Sequence, residues 1–432
     1  MRSRWIQLLL GLGCMIVISS PQYVWTLFTQ PLMGSLHASL TQIQITFSLL
    51  IVVQTFLSPC QGFVVDKFGP RALLSLGGAL TGLSWVLAAR ASTIVGLYLT
   101  YGLLGGIGTG IVYIGVIGHM VQWFPDRRGF ATGIAAAGYG MGAILTTFPI
   151  SETLKNAGHG QALARYGLIF MAVGVLAAQG LRTPIQNSQP ATLGPKAAAS
   201  HTGVSFTPRQ MLRTTIFWLM FVMMTMMSTA GLMVTSQIAA FTRDFGMANA
   251  IVFGLPVLPL ALSLDRITNG LTRPFFGWLS DQIGRENTMV IAFTLEGTAM
   301  TAWLFTRSNP VIFVVMSGVV LFGWGEIFSL FPSTLTDTFG TRNATTNYGF
   351  LYMAQGVGSV LGGPVAALVH DAFRSWIPVF AIIIAMNFAT ALLAGLALKP
   401  IRRRWLEIRG QTGDFPIFAS RTAERKIGNS PV

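Results

Sequence analysis

The strongest constraint on the fold is a succession of twelve apolar segments, each about as long as a membrane-spanning helix. Short charged loops separate these segments. Only 10% of the residues are charged, whereas soluble domains carry about 25%. The sequence therefore predicts an all-α membrane protein with twelve transmembrane helices. The first predicted span begins at residue 5, and the others are 41–65, 72–90, 94–122, 130–152, 164–181, 214–241, 250–280, 287–306, 309–333, 345–369 and 375–398.

One loop motif occurs once in each half of the chain. The pattern Gly-x-x-x-Asp-x-x-Gly spans 62–69 and returns at 277–284, and Phe124 returns as Phe339 with the same spacing. A repeat of this kind predicts two six-helix halves in the same orientation, related by an axis along the membrane normal. We expect the boundaries to be a bundle of residues 1–181, a cytoplasmic linker of 182–213, a second bundle of 214–398 and a basic cytoplasmic tail of 399–432, part of it disordered.

Basic residues are distributed unevenly between the two sides of the predicted membrane. One side carries most of them, including the tail, and the positive-inside rule makes that side cytoplasmic for both termini. The net charge of +14 follows from these loops, so it does not indicate a nucleic-acid partner. We expect a monomer in the bacterial inner (plasma) membrane, in contact with membrane lipid. The opposite side carries only Arg90, Lys155, Arg165, Arg243, Arg307 and Arg374.

Three charged residues interrupt the eighth predicted span, namely Asp265, Arg266 and Arg273. A charge at the centre of a membrane helix costs about 2.5–3.5 kcal/mol on insertion scales, so such residues pair or face a polar cavity. Arg266, Asn269 and Arg273 follow i, i+3, i+7 and share one helical face. Two cations on one face predict an anion site, with Arg273 as the main anchor for a carboxylate. The alternative is a salt bridge to Asp265 or Glu326 that only holds helices together.

Other polar residues within the spans complete the candidate site. Glu326 lies inside the tenth span, and we predict that it exchanges a proton during transport unless it pairs with an arginine. Asp265 is the second candidate for proton coupling. Glu296 and Asp337 are placed nearer to span ends and receive no role. The remaining candidates for substrate binding are Gln22, Tyr23, Tyr113, Trp324, Tyr352 and Gln355, with an interfacial aromatic belt as the alternative for Tyr23 and packing for Trp324.

The chemistry-bearing residues exclude several other classes of protein. The sequence has no G-x-x-x-x-G-K-[ST] loop, which argues against an ATPase. Five scattered histidines and two isolated cysteines, Cys14 and Cys60, form neither a metal site nor a nucleophile cluster. We therefore expect no enzyme activity, no metal and no cofactor. A membrane sensor that does not transport stays a distant alternative, because the polar linker and tail are short for a signalling module.

The repeated loop and the twelve spans resemble the major facilitator superfamily. The residues that carry this likeness are Asp66, Gly69 and Arg71 with their echo Asp281, Gly284 and Arg285. Within the superfamily, residues 22–27, 269–278 and 324–333 resemble the oxalate–formate antiporter family. The resemblance implies a secondary carrier of small carboxylates with rocker-switch alternating access.

The resemblance also implies roles for particular residues. In the oxalate–formate family an arginine on span eight and a lysine on span eleven hold the dianion; Arg273 matches the first, and Gln355 stands in place of the second. The related monocarboxylate transporters have an aspartate four residues before the arginine, where this chain has Asn269. Oxalate:formate-type exchange and proton-coupled symport of a monocarboxylate such as lactate or pyruvate therefore both stay open, and Arg266 is the candidate replacement for the missing cation.

The loop carboxylates form a second candidate site. Asp66 with Arg71, and Asp281 with Arg285, are predicted to form a cytoplasmic gate. Each aspartate would interact with a helix N-terminus or an arginine. These contacts would hold the outward-facing state and break when the two halves rock.

Overall fold

The computed structural model describes residues 4–183, 205–247 and 249–412, and nearly all of them lie in α-helices. The first half consists of α1 (Arg4–Tyr23), α2 (Trp25–Leu36), α3 (Leu40–Phe56), α4 (Ser58–Phe68), α5 (Pro70–Ala88), α6 (Ile94–Leu97), a π-helix (Tyr98–Leu104), α7 (Gly105–Trp123), α8 (Arg128–Met141) and α9 (Ala143–Gln179).

The second half repeats this arrangement after a short connecting helix. Its elements are α10 (Pro208–Met211), α11 (Thr215–Asp244), β1 (Ile251–Val252), β2 (Leu255–Pro256), α12 (Val257–Ile283), α13 (Arg285–Thr306), α14 (Pro310–Trp324), α15 (Ile327–Phe339), α16 (Ala344–Val360), a π-helix (Leu361–Val365), α17 (Ala366–Phe373), α18 (Ile377–Leu392), a π-helix (Leu393–Leu398) and α19 (Lys399–Thr412).

The number of membrane crossings agrees with the predicted twelve. In the part of the chain that the structure describes, nine helical stretches are long and apolar enough to cross, or ten if the bent pair α3–α4 is one span. The stretch α8–α9 contains two crossings, because its backbone leaves helical geometry at Gly158, where φ is +81°. The helix α12 has 27 residues, enough to cross, but carries charges that lower its hydropathy.

The eighth span begins later than the sequence predicted. Residues 250–256 are not helical, because Ile251–Val252 and Leu255–Pro256 pair as a small antiparallel hairpin with Ile251 opposite Pro256. Gly254 turns the chain with φ +78°. The hairpin is apolar, and Phe253 at its tip is exposed, so hydropathy could not separate it from the helix that follows.

The repeated motif ends one helix and begins the next in each half. Gly69 follows α4 with φ +84°, and Gly284 follows α12 with φ +96°. Residues with a side chain adopt this combination of a positive φ and an extended ψ only at an energetic cost. Glycine is therefore the residue that permits the sharp turn. The motif thus fixes the angle between spans two and three and between spans eight and nine.

The two halves touch closely at the end where the motifs lie, which we call the gate end (62–69, 125–130, 277–285 and 339–346). A β-carbon on Gly62 would meet the carbonyl oxygen of Thr345 at 2.6 Å, so α4 lies directly on the start of α16. Gly129 and Gly277 let the backbones of α8 and α12 approach in the same way. Small residues of this kind allow helices to pack in membranes.

Each motif aspartate binds the N-terminus of a helix in the opposite half. Asp66 accepts hydrogen bonds from the backbone N–H of Thr346 at 2.8 Å and from its hydroxyl at 2.6 Å. Asp281 accepts from the backbone N–H groups of Gly129 at 3.1 Å and Phe130 at 2.9 Å. A carboxylate at a helix N-terminus satisfies free N–H groups and complements the helix dipole.

A buried charge network joins this end of the molecule, and Asp337 is at its centre. Arg285 pairs with Asp281 at 2.6 Å and with Asp337 at 2.9 Å, while Arg128 of the other half also pairs with Asp337. The prediction that Asp337 has no special role is therefore wrong. The sequence gives little indication of this role, because the partners of Asp337 lie on other helices, far away in sequence.

Arg71 takes no part in this network. Its Nε donates to Gln179 Oε1 at 2.8 Å, a contact within the first half. Arg71 was predicted to form the gate with Asp66 because the two residues share a loop motif. In the structure the turn at Gly69 directs Arg71 towards the end of α9 instead.

The linker and the tail contribute to the second half. Phe206 donates its backbone N–H to the carbonyl of Phe339 at 2.8 Å and packs against Trp405, with ring centroids 5.8 Å apart. The first part of the predicted tail is helical, as α19, and its Arg402 pairs with Glu286 at 2.6 Å. Residues 184–204 of the linker and 413–432 of the tail lie outside the described residues.

Replacing Asp281 with asparagine is expected to open the gate end. The change removes the charge that Arg285 and two backbone N–H groups of α8 share, at a cost of about 1–3 kcal/mol, so the population of the open state rises roughly 5- to 150-fold. The measurement is the rate at which an impermeant maleimide labels a cysteine placed at Gln355, in a variant with Cys14 and Cys60 replaced by serine. Asp126→Asn is the control, because its pair with Arg4 is exposed and lies within one half. Equal labelling rates in both variants would contradict a gating role.

Candidate functional site

Arg273 lies deep in the interior and is held by neutral groups from both halves. It is 1% exposed. Its Nε and Nη2 donate to the carbonyl and Oδ1 of Asn269 at 3.2 and 2.7 Å, and its Nη1 donates to the carbonyl of Ala136 on α8 at 2.7 Å. Its guanidinium lies 4.4 Å from the ring centroid of Phe328. No described residue forms an ion pair with Arg273, so its positive charge is not neutralised.

The space beside the guanidinium of Arg273 exists because the neighbouring residue of the opposite half is a glycine, Gly140. A β-carbon on Gly140 would lie 3.1 Å from Arg273 Cζ and 3.0 Å from Asn269 Oδ1. Gly140 follows Tyr139. At these two successive positions, α8 contributes an aromatic ring and then backbone without a side chain to the site. The fifth span contains several glycines, and the sequence gives no reason to select Gly140 among them.

Arg266 lies two helical turns from Arg273 and has more freedom. Its side chain is partly exposed, and its guanidinium lies 4.2 Å from the ring centroid of Tyr23 on α1. Within the described ranges it has neither a hydrogen bond nor an ion pair. The neighbouring Asp265 is buried, and its carboxyl faces Ser317 on α14. Arg266 therefore has a cation–π contact and free N–H donors.

Tyrosine rings from both halves form a continuous wall next to the two arginines. Tyr23 packs on Tyr139 with centroids 5.5 Å apart, and Tyr139 packs on Tyr113 at 5.1 Å. Tyr113 stacks on Tyr352 at 4.8 Å and 19°. Tyr348 extends the wall at 5.8 Å from Tyr352. The wall runs from α1 through α8 and α7 to α16, so it crosses the boundary between the halves.

Two glutamines connect the hydroxyl groups of this wall. Gln54 on α3 donates to the hydroxyls of Tyr139 at 3.3 Å and Tyr352 at 3.2 Å, and it accepts from Thr109 at 3.2 Å. Gln22 accepts from the hydroxyl of Tyr139. The glutamines therefore fix the orientation of tyrosines from both halves.

The predicted site residues on α14 and α16 have different surroundings. Gln355 is buried, and its Oε1 has no hydrogen-bond partner among the described residues. Trp324 donates its indole N–H to the carbonyl of Met227 at 2.8 Å and lies against the backbone of Gly231. Trp324 thus joins α14 to α11, and its ring edge supports Phe328, the ring that contacts Arg273.

Four residues of this site, Tyr139, Gln54, Phe328 and Tyr348, were not among the predicted site residues. Phe328 and Tyr348 lie one helical turn from the predicted Trp324 and Tyr352, so helical spacing offered a signal for both. Gln54 and Tyr139 belong to other helices, and nothing in the sequence connects them to Arg273. Only the packing of the two halves brings them together.

Two carboxyl groups lie beyond Arg273. Glu326 and Glu296 are both 0% exposed, and neither forms an ion pair with a described residue. Glu296 is in the middle of α13 and not near a span end, so the sequence analysis was wrong about its position. Glu296 lies beside α14 because α13 packs against α14. The sequence of its own span does not indicate that contact.

Changing Asn269 to aspartate is expected to weaken anion binding by roughly tenfold or more, about 1.4 kcal/mol. The new carboxylate would lie where Oδ1 is, 2.7 Å from Arg273 Nη2, and would neutralise the guanidinium. Isothermal titration of the purified protein with oxalate and lactate gives the affinities. Asn309→Asp is the matched control, because Asn309 caps α14 at the surface and aspartate caps equally well. Tighter binding by Asn269→Asp would contradict this account of the site.

Comparisons with known proteins agree with this architecture. The model of the Major Facilitator Superfamily matches residues 8–267 and 257–426. The chain is 34% identical over 402 residues to the oxalate:formate antiporter of Oxalobacter formigenes, covering 93% of each chain. It is 28% identical over 331 residues to monocarboxylate transporter 13 of Bos taurus, covering 75% of this chain and 72% of the relative.

A solved structure shows the same fold. The proton:xylose symporter XylE, bound to 6-bromo-6-deoxy-D-glucose, superimposes with a TM-score of 0.67 at 13% identity, covering 91% of this chain and 96% of the symporter. The relatives are transporters, so a small-molecule substrate is implied. The chain therefore belongs to the Major Facilitator Superfamily and, within it, to the family of the oxalate:formate antiporter.

Proposed function

We propose that the chain is a secondary carrier of small carboxylates, and that it exchanges a dianion of the oxalate type for a monoanion of the formate type. The observation that carries this proposal is the pair Arg266 and Arg273. Both lie on one face of α12, and neither forms an ion pair with any residue in the described part of the chain.

The electrostatics of the interior favour an anion next to these residues. A buried cation without a counter-ion is costly, and neutral acceptors such as those around Arg273 offset only part of that cost. A bound carboxylate would supply the missing negative charge. The planar guanidinium groups suit the two oxygens of a carboxylate, and the tyrosine wall would exclude water around a small planar ion.

The depth of the two arginines suggests an order of contact. At a rise of about 1.5 Å per residue, Arg266 lies about 10 Å further from the gate end than Arg273. Arg266, Tyr23 and Gln22 are partly exposed, whereas Arg273 and Tyr352 are buried. An anion that enters from the end opposite the gate would meet Arg266 first and then reach Arg273.

Two cations suit a dianion, which is why exchange of the oxalate:formate type is preferred. The relative from Oxalobacter formigenes bears that activity in its name, and here Arg266 would supply the second charge that Gln355 does not. Gln355 also supports a second candidate function. Its free Oε1 could accept a hydrogen bond from a hydroxy acid, so a proton-coupled monocarboxylate symporter is the alternative.

Alternating access would use the gate end described above. We propose that residues 1–181 and 214–398 rock as two bundles joined by the linker 182–213, with both termini and the tail 399–432 in the cytoplasm. The bonds of Asp66 and Asp281 to helix N-termini would break together as the gate end opens. We further propose that the protein works as a monomer in the bacterial inner membrane, without a cofactor.

The decisive experiment is exchange in liposomes that contain the purified protein and trapped formate. We expect uptake of labelled oxalate that requires internal formate. Arg273→Gln should abolish uptake, because it removes the buried cation. Arg266→Gln should weaken the apparent affinity for oxalate by roughly tenfold or more and that for formate by less, because a dianion loses more Coulomb energy than a monoanion.

Arg307→Gln is the matched control for both variants. Arg307 also lies over an aromatic ring, 5.5 Å from the centroid of Phe245, but at the end of α13 and outside the site. Its replacement should leave exchange unchanged. Uptake of labelled lactate without any oxalate uptake would favour the symporter, and no uptake of any carboxylate would reject the proposed function.

A further inference from the structure

An open cleft of about 660 Å³ lies beside the gate end of the first half, where α5 begins and α9 ends. We call it the α5–α9 cleft (68–72, 179 and 181–183). Its described lining residues include two arginines, Arg71 and Arg182, and no carboxylate. Further along, the two helices are in contact, because a β-carbon on Gly78 would lie 3.1 Å from the carbonyl carbon of Gly174. The cleft is therefore a positively charged opening at the end of a tightly packed helix pair.

The α5–α9 cleft lies at the level of the lipid headgroups. The helix α5 is apolar over its 19 residues, and a helix of that length spans about 28 Å, close to the thickness of a bilayer core. Its first turn therefore lies at the membrane surface. Phe68, just before this turn, is 63% exposed, and the ammonium of Lys67 lies 5.4 Å from its ring centroid. An exposed aromatic ring beside a basic residue is typical of the interface between lipid and water.

Positive charge accumulates at the start of α5. The N-terminus of a helix favours a negative group, because its free N–H groups and its dipole are positive. No side chain in the described part of the chain caps α5, and its first turn carries Arg71. The Nε of Arg71 donates to the neutral amide of Gln179 at 2.8 Å, which orients the guanidinium without neutralising it. The exposed Arg182 adds a second positive charge to the same cleft.

The second half has the opposite charge at the equivalent position. Arg71 comes two residues after Gly69, and Glu286 comes two residues after the equivalent Gly284. Glu286 lies in the first turn of α13 and pairs with Arg402 at 2.6 Å. The second half therefore supplies its own anion to the helix start, whereas the first half presents a cation there. An anion from outside the chain would complete the first half in the same way.

Exposed apolar side chains continue from the cleft along both helices. On α5, Leu76 lies one turn beyond the lining residue Ala72 and is 48% exposed. On α9, Leu176 lies one turn before the lining residue Gln179 and is 72% exposed. Two apolar stripes therefore run from the charged cleft into the spans. A soluble anion would use the arginines alone, whereas a phospholipid would use the arginines and both stripes.

We propose that the α5–α9 cleft binds the headgroup of an anionic phospholipid. Arg71 and Arg182 contact the phosphate oxygens, for which planar guanidinium groups are well suited, and the acyl chains lie along Leu76 and Leu176. A zwitterionic headgroup carries a cation of its own and gains less from two arginines. The cleft begins two residues after Asp66, so the bound lipid lies against the turn that follows this gate residue.

The test is native mass spectrometry of the purified full chain in a non-ionic detergent, titrated with dioleoyl phosphatidylglycerol or dioleoyl phosphatidylcholine. The two lipids have the same acyl chains and differ in headgroup charge. We expect one phosphatidylglycerol per chain, bound roughly fivefold or more tightly than phosphatidylcholine. Arg71→Gln and Arg182→Gln should each weaken phosphatidylglycerol binding by roughly fivefold. Arg209→Gln is the matched control, because Arg209 is an exposed arginine on α10, outside the cleft, and its loss should leave binding unchanged.

Each contrary result would overturn a definite part of this inference. Equal binding of phosphatidylglycerol by Arg71→Gln, Arg182→Gln and Arg209→Gln would reject the cleft as the site. Equal binding of the two lipids by the wild type would reject the requirement for an anionic headgroup. Displacement of phosphatidylglycerol by an equal concentration of inorganic phosphate would mean that the cleft binds a soluble anion, which would reject the lipid. Each variant removes an exposed side chain, so an unchanged melting temperature checks that the fold is intact.

Discussion

Much of this structure depends on one electrostatic constraint, the positive charge of Arg273 in the centre of a membrane protein. The cost of burying such a charge is reduced by three hydrogen bonds to neutral acceptors and by the face of Phe328. The acceptors come from both halves, Asn269 from α12 and the carbonyl of Ala136 from α8. Any movement of one half against the other therefore changes the surroundings of this charge, and an anion bound there, as proposed above, would change them too. In the proposed carrier, this dependence would couple substrate binding to conformational change.

Charged groups also join the two halves at the gate end. Asp66 binds the start of α16, and Asp281 binds the start of α8, so each half closes on a helix N-terminus of the other. The Arg128–Asp337 pair adds a further charge contact across the boundary. These bonds are short and directional, so a small rotation breaks them together. Between this closed end and the partly exposed Arg266 lie the buried tyrosines, which is the arrangement expected of a carrier with access from one side at a time.

The interior of the second half also contains carboxyl groups without counter-ions. Asp265, Glu296 and Glu326 lie around α14 and α15, and none forms an ion pair with a described residue. An ionised carboxyl group is costly to bury without a counter-ion.

The sequence by itself determined the membrane fold, indicated the repeat of the two halves and drew attention to Arg266, Arg273 and Glu326 as charges within spans, because apolar length, motif spacing and isolated charges can be recognised without tertiary structure. It placed the start of the eighth span too early, placed Glu296 too near a span end, and left Asp337 without a role. Only the tertiary structure decided that Gly140 lies against Arg273, that Gln54 joins Tyr139 to Tyr352, that Asp337 joins the gate end, and that Glu296 packs against Gly323. Each of these is a contact between helices far apart in sequence. Such contacts are set by the packing of apolar helix faces, which produces no local sequence pattern that would predict them.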